Sequence, residues 1–228
     1  MSQILVGDDL HKSFGLTQAL RGASIVLDEG EIVAVMGPSG SGKSTLLHCL
    51  AGMLTPDRGE VHFAGQRIDQ LPRPGTSPPA AHGVRGSSSS SGSWCPSCRP
   101  WRTSPSPLLL AGRRRKHALA AAAPWLSRLG LDSLGERLPG ELSGGQGQRV
   151  AMARALVANP TVVFADEPTG SLDSVAADEV MELLVDAARD QGTSVLLVTH
   201  EPRVAAYADR TVIIRDGVDT LGLGVAAP

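Results

Sequence analysis

The stretch that decides the fold is Ile32-Val33-Ala34-Val35-Met36-Gly37-Pro38-Ser39-Gly40-Ser41-Gly42-Lys43-Ser44. Its first five residues are apolar and rich in β-branched side chains, bounded by Glu31 and Gly37, as in a strand buried on both faces. The next eight, Gly37 to Ser44, fit the pattern G-x-x-x-x-G-K-S in full. Lys43 to Ala51 then reads as a helix that stops at Gly52. Strand, glycine loop and helix in this order make a phosphate cradle. Glycines let backbone N–H groups turn inward around phosphate oxygens, and the helix N-terminus adds a favourable dipole. Lys43 would reach the β- and γ-phosphates, and the Ser44 hydroxyl would ligate Mg²⁺. The plainer alternative is a Gly/Ser turn without chemistry, but the strand before it and the helix after it agree with the cradle.

The same strand-then-helix habit recurs downstream. Gly144 to Ala158 is a helix rich in Ala, Met and Arg, Thr161 to Ala165 a buried strand, and Ser174 to Asp190 an amphipathic helix with Ser174 as its cap. Ser194 to Thr199 is another buried strand, and Thr211 to Arg215 a strand entering the Asp216-Gly217 turn. Before the phosphate loop the chain reads as strands and tight turns, and after it Glu60 to Phe63 is a short strand. Strands alternating with helices indicate an α/β fold with a mainly parallel sheet.

Composition narrows the classes. The 228 residues make one large domain or one and a half small ones. Lys and Arg number 21 against 23 Asp and Glu, a net charge of −2, which argues against a bulk electrostatic nucleic-acid binder and so for no nucleic-acid partner. Aromatic residues are 3% of the chain, so the core rests on Val, Leu, Ile and Ala. Three cysteines are too few for a disulfide scaffold and fit a reducing compartment. The first nine residues show no signal-peptide pattern, and no run of 18 apolar residues occurs, so any membrane span is expected from a separate polypeptide.

Two further stretches carry chemistry. Val162-Val163-Phe164-Ala165-Asp166-Glu167 is an apolar strand ending in two carboxylates. Asp166 would hold Mg²⁺ through water beside Ser44, and Glu167 would orient or deprotonate an attacking water. Alone, such a pair is a solvated strand end; the upstream phosphate loop gives it a task. Leu142-Ser143-Gly144-Gly145-Gln146 opens a helix with exposed backbone donors, a second anion site. On its own it reads first as an ordinary serine cap with a flexible approach.

These elements, followed by Ser171-Leu172-Asp173 and Thr199-His200, occur in one order that resembles the ATP-binding subunit of ABC transporters. The resemblance covers nearly the whole chain except 72–107, and the Leu-Ser-Gly-Gly-Gln element is specific to that family. It implies a P-loop NTPase core with a mainly parallel sheet, an N-terminal antiparallel β subdomain and a helical subdomain, in one domain over 1–228. It implies that Phe14, in Lys12-Ser13-Phe14-Gly15, stacks on adenine, although Phe14 as plain core stays open. Gly37, Pro38, Ser39, Gly40, Ser41, Gly42, Lys43, Ser44 and Thr45 would bind ATP with Mg²⁺. Ser143, Gly144, Gly145 and Gln146 would bind the γ-phosphate of ATP held by a second copy, so that two copies sandwich two ATPs head to tail. Asp173 would link the sites across that dimer, His200 would sense the γ-phosphate, and Glu167, His200 and Lys43 would carry catalysis. Ala19-Leu20-Arg21-Gly22, Ala34-Val35-Met36-Gly37 and Ala165 to Asp173 look like the lipoprotein-releasing and macrolide-export branch, whose partners are integral membrane permeases. The expectation is an ATPase on the cytoplasmic face of a membrane, held there by its permease. The alternative is a soluble ABC ATPase of DNA repair or translation, but those usually carry a long coiled-coil insertion or two cassettes. A P-loop kinase or GTPase would have no use for Leu142 to Gln146.

One segment departs from the pattern. From about Pro72 to Pro107, Pro, Ser, Gly and Arg dominate, with five serines at 87–91. The family places here a glutamine that touches Mg²⁺ and the water, yet no Gln occurs between Gln70 and Gln146. Codons for Gly-Phe-Val-Phe-Gln-Phe-Gly-Gln-Leu-Val-Pro-Glu-Leu, read one base late, give Gly-Ser-Ser-Ser-Ser-Ser-Gly-Ser-Trp-Cys-Pro-Ser, which is Gly86 to Ser97. Residues 72–107 are therefore expected to be disordered or out of frame, with ATP binding surviving better than hydrolysis. Cys95 and Cys98 lack the second ligand pair that zinc needs. Arg113 to Lys116 reads as a solvated helix start rather than a nucleic-acid patch.

Overall fold

The computed structural model describes residues 2–71, 86–89, 100, 104–170 and 172–220. In chain order the elements are β1 (Gln3–Phe14), β2 (Thr17–Asp28), β3 (Ile32–Met36), α1 (Lys43–Leu50), β4 (Arg58–Phe63), β5 (Gln66–Arg67) and β6 (Gly86–Ser89). Then come α2 (Ser106–Leu110), α3 (Arg115–Arg128), α4 (Gly144–Leu156), β7 (Val162–Asp166), α5 (Ser174–Gln191), β8 (Ser194–Val198), α6 (Pro202–Ala205), β9 (Arg210–Arg215) and β10 (Val218–Asp219). They fall into two compact units, one drawn from 1–81 and 194–228, the other from 82–193.

The first unit joins two kinds of sheet. β2, β1, β4 and β5 pair antiparallel in that order. Along β2 burial alternates from Ala23 onward, with Ala23, Ile25 and Leu27 buried and Ser24, Val26 and Asp28 half-buried, as in an antiparallel sheet with one less covered face. β3 instead lies between β8 and β9, parallel to both. Its residues Ile32 to Val35 are all buried, and so is every residue of β8; strands covered on both faces need no alternation. Glu31 and Asp209 fix the entry to β3. The Arg210 guanidinium donates to Glu31 at 2.7 Å, and the Ile32 N–H donates to the Asp209 carboxylate at 2.8 Å. α1 buries Leu46, Leu47 and Leu50, each contributing about 1.5–3 kcal/mol. Gly7 makes room for it, since a Cβ there would come within 2.7 Å of Leu50 Cδ2.

In the second unit β6 and β7 run parallel, Gly86 opposite Val163 and Ser89 opposite Asp166. The buried face of α3 is Ala118, Ala122, Trp125 and Leu126, and that of α5 is Ala177, Val180, Met181, Leu184, Ala187 and Ala188. Both sets follow the 3.6-residue period.

The α/β class, the antiparallel N-terminal sheet and the parallel strands match the sequence expectations. One cap does not. Ser174 is the first residue of α5, and Asp173 is its cap: the Asp173 carboxylate accepts the N–H groups of Val175 and Ala176, both at 3.0 Å. Asp173 holds the extended backbone that a cap needs (φ −68°, ψ 167°), which decides between two neighbours with equally suitable side chains. Of 72–107, residues 86–89 (β6), 100 and 104–107 (into the start of α2) are described; Cys95, Cys98 and the serines at 90–91 lie outside the described residues. Arg113 to Lys116 are all exposed, with α3 starting at Arg115.

Candidate functional site: a phosphate loop and a paired set of helix starts

In the first unit, the loop from Gly37 to Gly42 carries the chain from β3 into α1. Gly37 adopts φ 152°, and a Cβ on it would stand 2.0 Å from the Ile214 carbonyl oxygen on β9. Gly42 adopts φ 102° and caps α1 without a side-chain hydrogen bond; its Cβ would stand 2.3 Å from the Ala19 carbonyl oxygen on β2. These two positions accept only glycine, because both conformation and space exclude a side chain. Pro38, Ser39 and Gly40 are exposed, Ser41 is buried, and Ser44 and Thr45 follow in the first turn of α1. Lys43 is only 7% exposed. Its ammonium donates to the Gly37 carbonyl at 2.9 Å and the Pro38 carbonyl at 2.8 Å. The loop thus presents a helix start whose backbone donors no side chain caps, beside a cation folded onto the loop: a receptor for an anion of several oxygens.

Register places a second residue at the same strand ends. Val35 stands opposite Val198 on β8. The Thr199 N–H donates to the Val35 carbonyl at 3.1 Å, and the Thr199 hydroxyl accepts the Glu201 N–H at 3.1 Å. Exposed His200 therefore leaves β8 level with Gly37 leaving β3. Phe14 ends β1 opposite Thr17, across the Gly15-Leu16 turn, and is 53% exposed. The reading of Phe14 as plain core is set aside by that exposure. Its hairpin reaches the phosphate loop through the Ala19–Gly42 approach. A role for Asp57 was not readable from spacing, since its partner Ser13 is 44 residues away.

In the second unit, Asp166 ends β7 and is partly exposed, like Glu167 after it. Glu167 adopts φ 46°, and its carbonyl accepts the Gly170 N–H at 3.2 Å. A left-handed non-glycine at a strand end is backbone strain of about 1–3 kcal/mol of the kind that gathers at working sites. Ser143 caps α4 through a reciprocal box: its hydroxyl accepts the Gln146 N–H at 3.3 Å, and its own N–H donates to Gln146 Oε1 at 3.0 Å. Ser143 and Gly144 are exposed. A Cβ at Gly145 would lie 3.6 Å from the Cβ of Ala176, whose N–H Asp173 caps. The starts of α4 and α5 are therefore side by side, which brings Ser143 to Gln146 and Asp173 to one edge.

The model of the ABC transporter family matches residues 20–170. The chain belongs to the ABC transporter family. Over 217 residues it is 41% identical to the macrolide export ATP-binding/permease protein MacB of Chlorobium luteolum, covering 92% of this chain and 32% of that protein. The chain thus spans about a third of that relative. It is 39% identical to the lipoprotein-releasing system ATP-binding protein LolD of Geobacter metallireducens, over 95% of this chain and 98% of that one. Among solved structures, a dimeric bacterial ABC transporter cassette superposes with a TM-score of 0.85 at 30% identity, covering 95% of this chain and 97% of that one. A dimeric cassette in a post-hydrolysis state bound to ADP and Pi gives 0.83 at 29% identity, with the same coverage. The fold is the P-loop ATPase cassette of this family.

Proposed function

We propose that this chain powers a separate membrane permease by binding and hydrolysing ATP between two copies of itself. The ATPase is that of an ABC transporter cassette. The observation that carries the reading is the loop Gly37–Gly42, with Lys43 buried and held on the loop carbonyls beside an uncapped helix start. Gly37 to Thr45 take the triphosphate, and Phe14 offers its exposed ring to adenine. The hydroxyl of Ser44 and the carboxylate of Asp166 are hard oxygen donors that suit Mg²⁺. When bound, that ion supplies charge neutralisation to the β- and γ-phosphate oxygens. Glu167 accepts a proton from the attacking water as its oxygen bonds to the γ-phosphorus and the bridge to the β-phosphate breaks. His200 contacts the γ-phosphate. Ser143, Gly144, Gly145 and Gln146 close on the γ-phosphate held by the other copy, and Asp173 lies on the same edge. In support, a relative and solved neighbours are named as ATP-binding or dimeric cassettes.

No helix among the described residues is long and apolar enough to cross a membrane. We assign the membrane-spanning part to a permease, with this chain peripheral on the cytoplasmic face, as the relative named as an ATP-binding protein of a lipoprotein-releasing system supports. We take 1–228 as one cassette domain whose residues 72–107 are out of frame. In support, the backbone of Gly86–Ser89 pairs as a strand with β7, although Gly and Ser are poor strand formers. That is the place where the displaced reading has Gly-Phe-Val-Phe. With no Gln between Gln70 and Gln146, ATP binding survives better than hydrolysis. Measured ATP affinity and permease-stimulated turnover test this: ordinary affinity with depressed turnover supports it, and full stimulated turnover refutes it. In a hydrolysing preparation, Glu167→Gln retains ATP and lowers turnover ~100-fold or more; unchanged turnover would remove Glu167 from the reaction.

A further inference from the structure

We propose that Asp57 is a positioning residue for base recognition, setting the plane of Phe14 through both residues that precede it. This rests on the reading of Phe14 as the adenine platform. Asp57 lies in the turn between α1 and β4, and its carboxylate grips the end of β1 with both oxygens. One accepts the Lys12 ammonium at 2.6 Å, and the other accepts the Ser13 N–H at 2.7 Å. The Asp57 N–H in turn donates to the His11 carbonyl at 2.8 Å. Three consecutive residues, His11, Lys12 and Ser13, are thus tied to one side chain and its own backbone. The Lys12 ammonium, held by that carboxylate, lies 5.9 Å from the centroid of the Phe14 ring, within reach of a cation–π contact.

Phe14 itself is half exposed at a tight turn, and the Gly15-Leu16 tip beyond it offers it no packing, Leu16 being fully exposed. A ring in that setting keeps one orientation only if the chain before it is fixed. A fixed platform loses less freedom when a base stacks on it. Asp57 makes no contact with the phosphate loop in the hydrogen bonds that define it; its partners all lie on β1. Its effect should therefore follow the base and not the phosphates.

The test compares ATP with inorganic tripolyphosphate, which has the phosphates without a base, in the full chain. Dissociation constants are measured for the unaltered protein, Asp57→Ala, Asp57→Asn, Phe14→Ala and the double variant Phe14→Ala with Asp57→Ala. Phe14→Ala should weaken ATP ~5-fold or more, as loss of a base-stacking platform does, and Asp57→Ala ~3-fold or more, with tripolyphosphate within about twofold. Asp57→Asn, which keeps an acceptor for Ser13, should fall between. In the Phe14→Ala background, Asp57→Ala should add nothing, because its effect passes through the ring. Equal losses for ATP and tripolyphosphate, no loss from either Asp57 variant, or an undiminished loss without Phe14 would each overturn the proposal. If Phe14→Ala leaves the ratio of the two affinities unchanged, the adenine reading of Phe14 fails first. If Phe14→Ala shifts it and Asp57→Ala does not, only the role of Asp57 fails. Should Asp57→Ala misfold by circular dichroism, Asp57→Asn decides alone.

Discussion

Lys43 and Pro38 close the phosphate loop on itself: the Lys43 ammonium donates to the Pro38 carbonyl oxygen at 2.8 Å, and to Gly37 at 2.9 Å. The cation is thus stored next to the place where a triphosphate would sit, already desolvated. Lys43→Ala should lower ATP affinity ~10- to 100-fold, the range of a charge-assisted hydrogen bond of about 1.5–3 kcal/mol. Titration with a fluorescent ATP analogue measures it. Lys43→Arg should not restore binding, because the guanidinium fork does not fit a slot cut for a compact ammonium. Unaltered affinity in Lys43→Ala would remove the loop from nucleotide binding.

Two loop glycines should respond unequally to alanine. At Gly37 the added carbon meets the Ile214 carbonyl oxygen at 2.0 Å, whereas at Gly40 (φ 79°) it meets nothing within 4 Å. Gly40→Ala should cost about 1 kcal/mol of left-handed strain. Gly37→Ala should cost about 3 kcal/mol or more, because β3 or β9 must move. Urea midpoints at constant slope compare the two; equal shifts would mean that Gly37 is not packed against β9.

The cap of α5 offers a test between neighbours. Asp173→Ala removes the acceptor of two N–H groups and should destabilise the protein by ~1 kcal/mol. Ser174→Ala should lie within about 0.5 kcal/mol of neutral, as exposed substitutions away from a cap do. The reverse order in thermal unfolding would return the cap to Ser174.

Burial pushes the Cys49 thiol up to about 12, against the pull of the Lys12 ammonium. The thiolate is the nucleophile in alkylation, so native Cys49 should resist iodoacetamide at mildly alkaline pH and react once urea unfolds the chain. Peptide mass spectrometry reads this site separately from Cys95 and Cys98. Equal labelling rates in native and unfolded protein would show that the α1 face is open.

The legible parts of the structure were those with local causes. β3, the phosphate loop and α1 follow from the single stretch Ile32 to Leu50, and β7 and β8 are short apolar runs that any buried strand displays. α5 declared itself by its period. The order β2-β1-β4-β5 was not legible, since alternation marks a strand but does not choose its neighbour. The Asp57 clamp on Lys12 and Ser13 was hidden for the same reason, as a contact between distant parts of the chain. β6 was hidden differently: Gly86 to Ser89 carry no apolar or β-branched residue to mark a strand, yet their backbone pairs with β7.

In the proposed dimer the phosphate loop of one copy and the Ser143–Gln146 edge of another enclose the same ATP. Ser39→Cys and Ser143→Cys, each exposed in the structure, can be introduced into separate chains that lack Cys95 and Cys98 and carry Glu167→Gln. With ATP and Mg²⁺ present, mixing the two should yield a disulfide-linked species of twice the chain mass, and little of it without nucleotide. ATP binding without any such cross-link would contradict a nucleotide shared between two copies.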